Sequence, residues 1–182
     1  MTTPDAAANP TTTSADRTTA RLLVAGQFVL LALLVVLPRR TDWPVPPAVR
    51  VGADLVSLSG LALAGAAAGT LGRGLTPMPL PNQHARLRTR GLYRHVRHPI
   101  YSALLLFSAA HTAGSGSIPQ VGILALLTGL LSGKARWEEA RLRAEFPDYT
   151  EYAIATPRFV PRLRLRARRV SRHNQPLDGA DG

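Results

Sequence analysis

Apolar residues fall into four blocks that carry almost no charge, and the basic residues lie between and after these blocks. The blocks cover residues 22–37, 51–72, 99–110 and 118–133, and their one charged side chain is Asp54. A soluble helical protein instead alternates charged and apolar positions on amphipathic stripes. Separation along the sequence is typical of membrane helices and their loops. The pattern therefore predicts an all-α, integral-membrane helical bundle with about four transmembrane helices.

The block lengths predict how these helices are arranged. A membrane span needs about 20 apolar residues, which block two reaches and block one reaches with its flanks. Blocks three and four are shorter and predict a C-terminal hairpin of short helices joined by residues 111–117. The fourth helix is expected to continue out of the membrane as a cytoplasmic helix. A soluble bundle is the alternative, but blocks one and four leave no polar face for water.

Basic residues predict the domain boundaries and the orientation. Residues 1–20 predict a disordered tail, 21–161 the membrane domain, and 162–182 a basic, mostly disordered tail. The net charge is +11, and residues 73–97 hold six Arg and no acid. The positive-inside rule then places residues 73–97 and the C-terminus in the cytoplasm, although the 38–50 loop, predicted outside, also carries three Arg. Many Arg, Ala and Gly beside a single Lys are typical of a protein from a GC-rich, bacterial genome. The predicted location is therefore the bacterial inner membrane.

Three further features narrow the chemistry. The chain has no Cys, which excludes disulfides, thiolate catalysis and Cys-based zinc sites. Gly65 and Gly69 form a GxxxG pattern, which predicts helix packing within the chain or a dimer face. Asp54 lies one turn inside block two, so it is either an interfacial residue or a functional acid at membrane depth.

A first polar cluster precedes the third block, in the segment Gly-Leu-Tyr-Arg-His-Val-Arg-His-Pro-Ile-Tyr at 91–101. Pro99 is suited to the first position of a helix, because its missing N–H costs nothing there. His98 then caps the helix, and Tyr101 in the first turn can face the same pocket. Arg94 and Arg97 can reach phosphates or lipid headgroups, and a snorkelling basic belt explains them equally well.

A second polar cluster follows the fourth block. Lys134 and Glu138 are four residues apart and share a helix face. Glu138 and Glu139 near Arg residues predict either a solvated, salt-bridged face or, opposite His98, a ligand clamp.

Together these segments resemble the isoprenylcysteine carboxyl methyltransferase family and, more widely, the integral-membrane phospholipid methyltransferases. The resemblance covers residues 71–163, about half of the chain. It rests on five segments in order: Leu-Thr-Pro-Met-Pro at 75–79, the 91–101 motif, Glu-Glu-Ala-Arg-Leu at 138–142, Phe-Pro-Asp-Tyr-Thr-Glu-Tyr at 146–152, and Thr-Pro-Arg-Phe-Val-Pro at 156–161.

The resemblance implies S-adenosylmethionine-dependent methyl transfer to a lipophilic acceptor at the cytoplasmic face, with carboxyl O-methylation of an isoprenyl-cysteine-like or other lipid-like substrate as the expected reaction. The cofactor-binding residues it implies are Tyr93, His98, Pro99, Ile100, Tyr101, Glu138, Leu87 and Arg88. Lys134 and Arg97 would contact the substrate. No acid–base residue and no metal site are assigned. The sequence departs from the family pattern at Lys134, where Arg is expected, and at Ala103, where Gly is common.

The Arg-rich segment 162–172 predicts contact with anionic lipid headgroups, because each basic residue near such a surface contributes roughly 1 kcal/mol. Nucleic acid is not expected as a partner, since no aromatic platform accompanies the Arg residues. Two alternatives stay open: a non-catalytic membrane protein of the same fold, and a basic nucleic-acid-binding protein.

Overall fold

A computed structural model describes residues 14–71, 87 and 89–162. Within them the protein is all-α and contains no strand. A short 3-10 helix at Gly91–Arg94 accompanies five α-helices: α1 (Ser14–Val36), α2 (Pro47–Leu71), α3 (Pro99–Ser115), α4 (Ile118–Glu145) and α5 (Tyr149–Ala155).

In the described part of the chain, three helices are long and apolar enough to cross a membrane, as expected of an integral membrane protein. They are Ser14–Val36, Pro47–Thr70 and Ile118–Glu145. Only 17% of the apolar window of each of the first two is buried, so most of their apolar side chains face outward. Leu55 and Leu58 of α2 are examples, each 67% exposed. An exposed apolar surface of this extent is typical of helices that face lipid.

The helices pack as antiparallel neighbours at sites where glycine permits close approach. A Cβ at Gly60 of α2 would lie 2.8 Å from the Phe107 backbone nitrogen of α3, and one at Gly114 would lie 2.8 Å from the Ala53 Cβ. On the other side, a Cβ at Gly26 of α1 would lie 2.9 Å from Leu130 Cδ1 of α4. Helix α3 therefore lies between α2 and α4, and α4 also contacts α1.

The α1–α2 loop docks on the turn between α3 and α4. Gly116 ends α3 with a φ of 65°, and a Cβ there would lie 2.7 Å from the Arg40 carbonyl oxygen. Asp42 accepts a hydrogen bond from the Ile118 backbone N–H at 2.9 Å. That bond, ahead of burial and of the Arg40 guanidinium, holds the pKa of Asp42 below its usual value. Asp42 therefore caps α4 as a carboxylate at the positive helix end.

Several sequence expectations need correction in detail. Helix α3 extends through Ser115, so most of the predicted 111–117 link is helical, because its small residues pack against α2. Helix α4 is 28 residues long, so the second helix of the hairpin is not short; its continuation beyond block four to Glu145 is as expected. Helix α1 begins at Ser14, inside the segment predicted as a tail. A Cβ at Gly65 or Gly69 would meet nothing within 4 Å, so this pair does not mediate packing within the described chain.

Candidate functional site

The start of α3 places the first polar cluster. Pro99 occupies the first turn and is buried, and His98 precedes it as the N-cap with an extended φ of −124°. The ring of Pro99 fixes its own φ and removes an N–H that would have no partner at that position. This geometry turns the His98 side chain inward, where only 8% of it is exposed.

His98 lies between the two carboxylates of α4. Its Nε2 is 3.1 Å from Glu139 Oε1, and its Nδ1 is 3.4 Å from Glu138 Oε2. Burial lowers the pKa of His98, but the hydrogen bonds and charges of Glu138 and Glu139 outweigh it, so the pKa is raised above its usual value. An imidazole donates from both ring nitrogens only when it is protonated. The geometry therefore favours a cationic His98.

Glu139 is the centre of this ionic cluster. Its carboxylate is fully buried and accepts two hydrogen bonds of 2.8 Å from the Arg158 guanidinium. Arg97 and Arg143 lie 3.5 and 3.6 Å from the same carboxylate. A buried carboxylate is stable only when cations and donors compensate its desolvation, and here three Arg and His98 do so.

Tyr101 connects the ionic cluster to the interior of the bundle. Its ring stacks on His98 with centroids 5.3 Å apart, and its hydroxyl donates to Glu138 Oε1 at 2.5 Å. The Lys134 ammonium lies 5.1 Å from the Tyr101 ring centroid and donates to Gln27 Oε1 of α1 at 2.8 Å. Lys134 is buried, so polar side chains extend from the membrane boundary into the interior of the helix bundle.

The segment after α5, residues 156–160, covers the ionic cluster and is called the strap below. The backbone N–H groups of Arg97 and His98 donate to the carbonyls of Pro157 at 2.9 Å and Arg158 at 3.1 Å. The Ser102 hydroxyl donates to the Phe159 carbonyl at 2.7 Å. These bonds hold Arg158 where its guanidinium reaches Glu139. The strap, residues 156–160, is therefore part of the site.

The structure brings together five of the residues selected from the sequence: Arg97, His98, Tyr101, Lys134 and Glu138. Pro99 fixes the start of α3, and Ile100 packs against the apolar core beside Tyr101. The Tyr93 carbonyl accepts a hydrogen bond from the Tyr152 hydroxyl at 2.6 Å, which ties α5 to the 3-10 helix. Leu87 is partly buried, and Arg88 lies outside the described residues.

Sequence reasoning missed three members of the site, Arg143, Arg158 and Gln27, and it named Glu139 only as half of an acidic pair. Gln27 is the one polar side chain in block one, a signal that could have marked it. Arg158 lies in the Pro-Arg-x-x-Pro segment, but its pairing with Glu139 depends on the path of the strap. Asp54, considered as a functional acid, instead forms a partly exposed ion pair with Arg39.

An apolar groove runs along the bundle beside the core that holds Tyr101. It has a volume of about 420 Å³. Its walls are entirely apolar and come from α1, α2 and α3: Phe28, Leu31, Ala32, Val35, Val36, Leu61, Leu104 and Phe107. Leu31 and Leu104 also pack against the core cluster of Tyr101, Leu127 and Leu131.

Part of the chain is similar to two bacterial metal-resistance proteins. The chain is 39% identical over 80 residues to the cobalt-zinc-cadmium resistance protein CzcN of Cupriavidus metallidurans, and 38% identical over 80 residues to the nickel-cobalt-cadmium resistance protein NccN of Alcaligenes xylosoxydans xylosoxydans. Each match covers 43% of this chain, and 37% and 38% of the respective relative. No family model matches the chain.

These relatives overturn the functional prediction made from the sequence. The assignment to the isoprenylcysteine carboxyl methyltransferase family, the predicted enzyme class and the predicted methyl transfer to a lipophilic acceptor are wrong, because the similar proteins are metal-resistance proteins. The structure gives a physical reason why the motif misled. His98, Tyr101 and Glu138 satisfy one another's hydrogen bonds and charges, so their presence is explained by packing at the helix ends.

Proposed function

We propose that this chain is a non-catalytic membrane protein that contributes to bacterial resistance against divalent transition-metal ions such as cobalt, zinc, cadmium or nickel. The observation that carries the proposal is its similarity, at 38–39% identity, to two resistance proteins whose names include these ions. The apolar helices α1, α2 and α4 support a site of action in the membrane.

The described side chains favour an indirect role in resistance. Among residues 14–71, 87 and 89–162, no group of three or more His, Asp or Glu side chains is arranged to hold a metal ion. The Glu139 carboxylate is surrounded by Arg97, Arg143 and Arg158, whose charges repel a divalent cation. We therefore assign the ionic cluster a structural role, in which it holds α3, α4 and residues 156–160 together.

A four-span topology is part of the proposal, in which α3 crosses the membrane in addition to α1, α2 and α4. The 17 residues of α3 cover about 26 Å at 1.5 Å per residue, slightly less than a typical hydrocarbon core. The ionic cluster, α5 and the C-terminus then lie on the cytoplasmic side of the inner membrane. Arg39 and Arg40 of the opposite loop pair with Asp54 and Asp42, so neither is a free cation.

We propose lipids as partners at two places, the Arg-rich segment and the apolar groove. The Arg-rich segment 162–172 lies outside the described residues, except Arg162, and its charge favours anionic headgroups at the cytoplasmic boundary. The apolar groove between α1, α2 and α3 suits the hydrocarbon chain of a lipophilic molecule.

A complementation assay tests the resistance function. The chain is expressed in a Cupriavidus metallidurans strain whose tolerance of cobalt, zinc or cadmium falls when CzcN is deleted. We expect the full chain to restore at least half of the lost tolerance, measured as the minimal inhibitory concentration. A Glu139→Gln variant should restore less, and the exposed Glu145→Gln should act as the native chain. No restoration by a protein that is present in the membrane at native levels would contradict the proposal.

Binding of S-adenosylmethionine is a separate question from catalysis and stays a prediction. In the structure both ring nitrogens of His98 face carboxylates and the Tyr101 hydroxyl donates to Glu138, so a ligand would have to exchange these contacts. Isothermal titration of the native chain and of Glu138→Ala with the cofactor decides the point: heat from the native chain alone supports binding at this site, and no heat from either rejects it.

A further inference from the structure

Buried polar side chains lie along α3 and at the start of α4, towards the end opposite the ionic cluster. Ser108, Thr112 and Ser115 are spaced by four and three residues, which places them on one face of α3. Ser117 and Gln120 begin α4 at the same end. All five side chains are at most 3% exposed, and together they form the outer polar cluster.

Four of these five side chains carry an oxygen with no hydrogen-bond partner in the described structure. The atoms are Ser108 Oγ, Thr112 Oγ1, Ser117 Oγ and Gln120 Oε1. Hydroxyls in helices usually bond to the carbonyl four residues earlier. Ser57 and Thr128 of this chain do so, at 2.8 Å each. The outer polar cluster departs from this local pattern, and buried polar groups of this kind require a partner.

Hydrogen bonds join three members of the cluster, Thr112, Ser115 and Ser117. The Ser115 hydroxyl donates to the Thr112 carbonyl at 2.7 Å and accepts from the Ser117 backbone N–H at 3.2 Å. Ser117 in turn accepts the Val121 N–H at 3.4 Å, so Gln120 belongs to the same first turn of α4.

The α1–α2 loop separates this region from the surroundings. Its first carbonyl, that of Leu37, accepts a hydrogen bond from Gln120 Nε2 at 3.0 Å. The Arg40 N–H donates to the Ser115 carbonyl at 3.0 Å, and Asp42 caps Ile118. These loop groups are already paired with the turn. They leave the four oxygens open, and lipid chains offer no hydrogen bonds.

We propose that the outer polar cluster binds ordered water molecules in the protein interior, at the end of the bundle that the α1–α2 loop covers. Water suits the set because hydroxyls both donate and accept while an amide oxygen accepts, and one water can serve two to four such groups. No side chain of the cluster carries a charge. The bound waters would lie on the loop side of the apolar layer of Leu127 and Leu131. Tyr101 and Lys134 lie on the other side of that layer, next to the ionic cluster.

Water-edited solid-state NMR of the full chain in proteoliposomes tests the proposal directly. Magnetisation that starts on water should reach the Thr112 side chain at short mixing times. Thr128, which is exposed on α4 and bonded to its own helix, is the matched control on the lipid-facing surface. We expect the Thr112 signal to build up at least twice as fast as that of Thr128. Equal build-up rates would overturn the proposal.

A thermal measurement gives an independent answer. Thr112→Val keeps the side-chain shape and removes the hydroxyl. If the hydroxyl binds water, the variant leaves that water without a partner and the Tm falls by about 3 °C, whereas Thr128→Val changes it little. If the hydroxyl is dry, Val removes an unpaired buried group and the Tm rises, which contradicts the proposal.

Discussion

At the scale of single residues, Glu139 decides the electrostatic balance of the site. Its buried carboxylate faces Arg158, Arg97 and His98. Glu139→Gln removes the negative charge and leaves these cations close together without compensation. We expect a loss of about 3–5 kcal/mol of unfolding free energy, the usual cost of breaking a buried ion pair. Thermal and denaturant unfolding in detergent measure it.

The control for this variant is Glu145→Gln, at the exposed last residue of α4. It should change the stability by no more than about 0.5 kcal/mol. If the two variants proved equally stable, Glu139 would not be the compensating charge of the cluster.

His98 should give the protein a pH-dependent stability. Its pKa is raised in the folded state above the ordinary 6.5, because the carboxylates outweigh the effect of burial. The stabilisation is therefore fully present below pH 6.5 and is lost as the pH rises through the raised folded pKa. We expect the Tm of the native chain to fall above pH 6.5 and that of His98→Gln to lack this fall. An unchanged slope in the variant would assign the dependence to another group.

The sequence predicted part of this residue-scale arrangement. The i, i+3 spacing of His98 and Tyr101 and the helix-starting Pro99 predict that both rings lie on one side, and the rings stack in the structure. For the two Glu residues the sequence leaves a solvated face and a clamp opposite His98 open, and the structure places Glu138 against Tyr101. Glu139 was treated only as the second half of an acidic pair. Which of two adjacent acids is buried depends on the rotation of α4 against α3 and on the strap that carries Arg158, and both are tertiary properties.

At the scale of helices, Gly60 sets the distance between α2 and α3. A Cβ there would meet the Phe107 nitrogen and the Ala103 carbonyl oxygen at 2.8 and 3.0 Å, both backbone atoms that cannot rotate away. Gly60→Ala should therefore cost about 1–3 kcal/mol, as in other overpacked cores. Gly65→Ala on the same helix meets nothing within 4 Å and should be neutral or slightly stabilising. Unfolding of both variants checks the contrast.

This contrast also shows what the sequence could not supply about the helices. The GxxxG of Gly65 and Gly69 was the conspicuous pattern, yet the close contacts involve Gly60 and Gly114. Small residues are frequent throughout α2, so the sequence pattern does not distinguish the face that meets α3. The sequence predicts the start of α4 and its continuation past Lys134, and both agree with the structure. The end of α3 differs from the prediction, because Gly114 and Ser115 are tolerated in the helix by their packing against α2 and the loop.

At the scale of the whole molecule, the bundle has two polar ends of different chemistry. The cytoplasmic end, as proposed, joins Arg, His and Glu side chains through α3, α4 and the strap. The opposite end joins uncharged hydroxyls and an amide beneath the α1–α2 loop. The apolar layer of Leu127 and Leu131 separates them. The four apolar blocks of the sequence predict this division into two polar ends. The burial of Lys134 and Gln27 is not predicted by the blocks, because it depends on the hydrogen bond between them in the folded chain.

The four-span topology of the bundle can be tested by labelling thiols from each side of the membrane. With four spans, the α1–α2 loop and α5 lie on opposite sides of the membrane. Because the chain has no native Cys, Thr41→Cys in the loop and Ala155→Cys at the end of α5 each provide a single exposed thiol. We expect a membrane-impermeant maleimide to label Thr41→Cys in cells whose outer membrane alone is permeabilised, and Ala155→Cys only after the inner membrane is opened. Labelling of both thiols from the same side would exclude the four-span arrangement, because α3 would then fail to cross the bilayer between them.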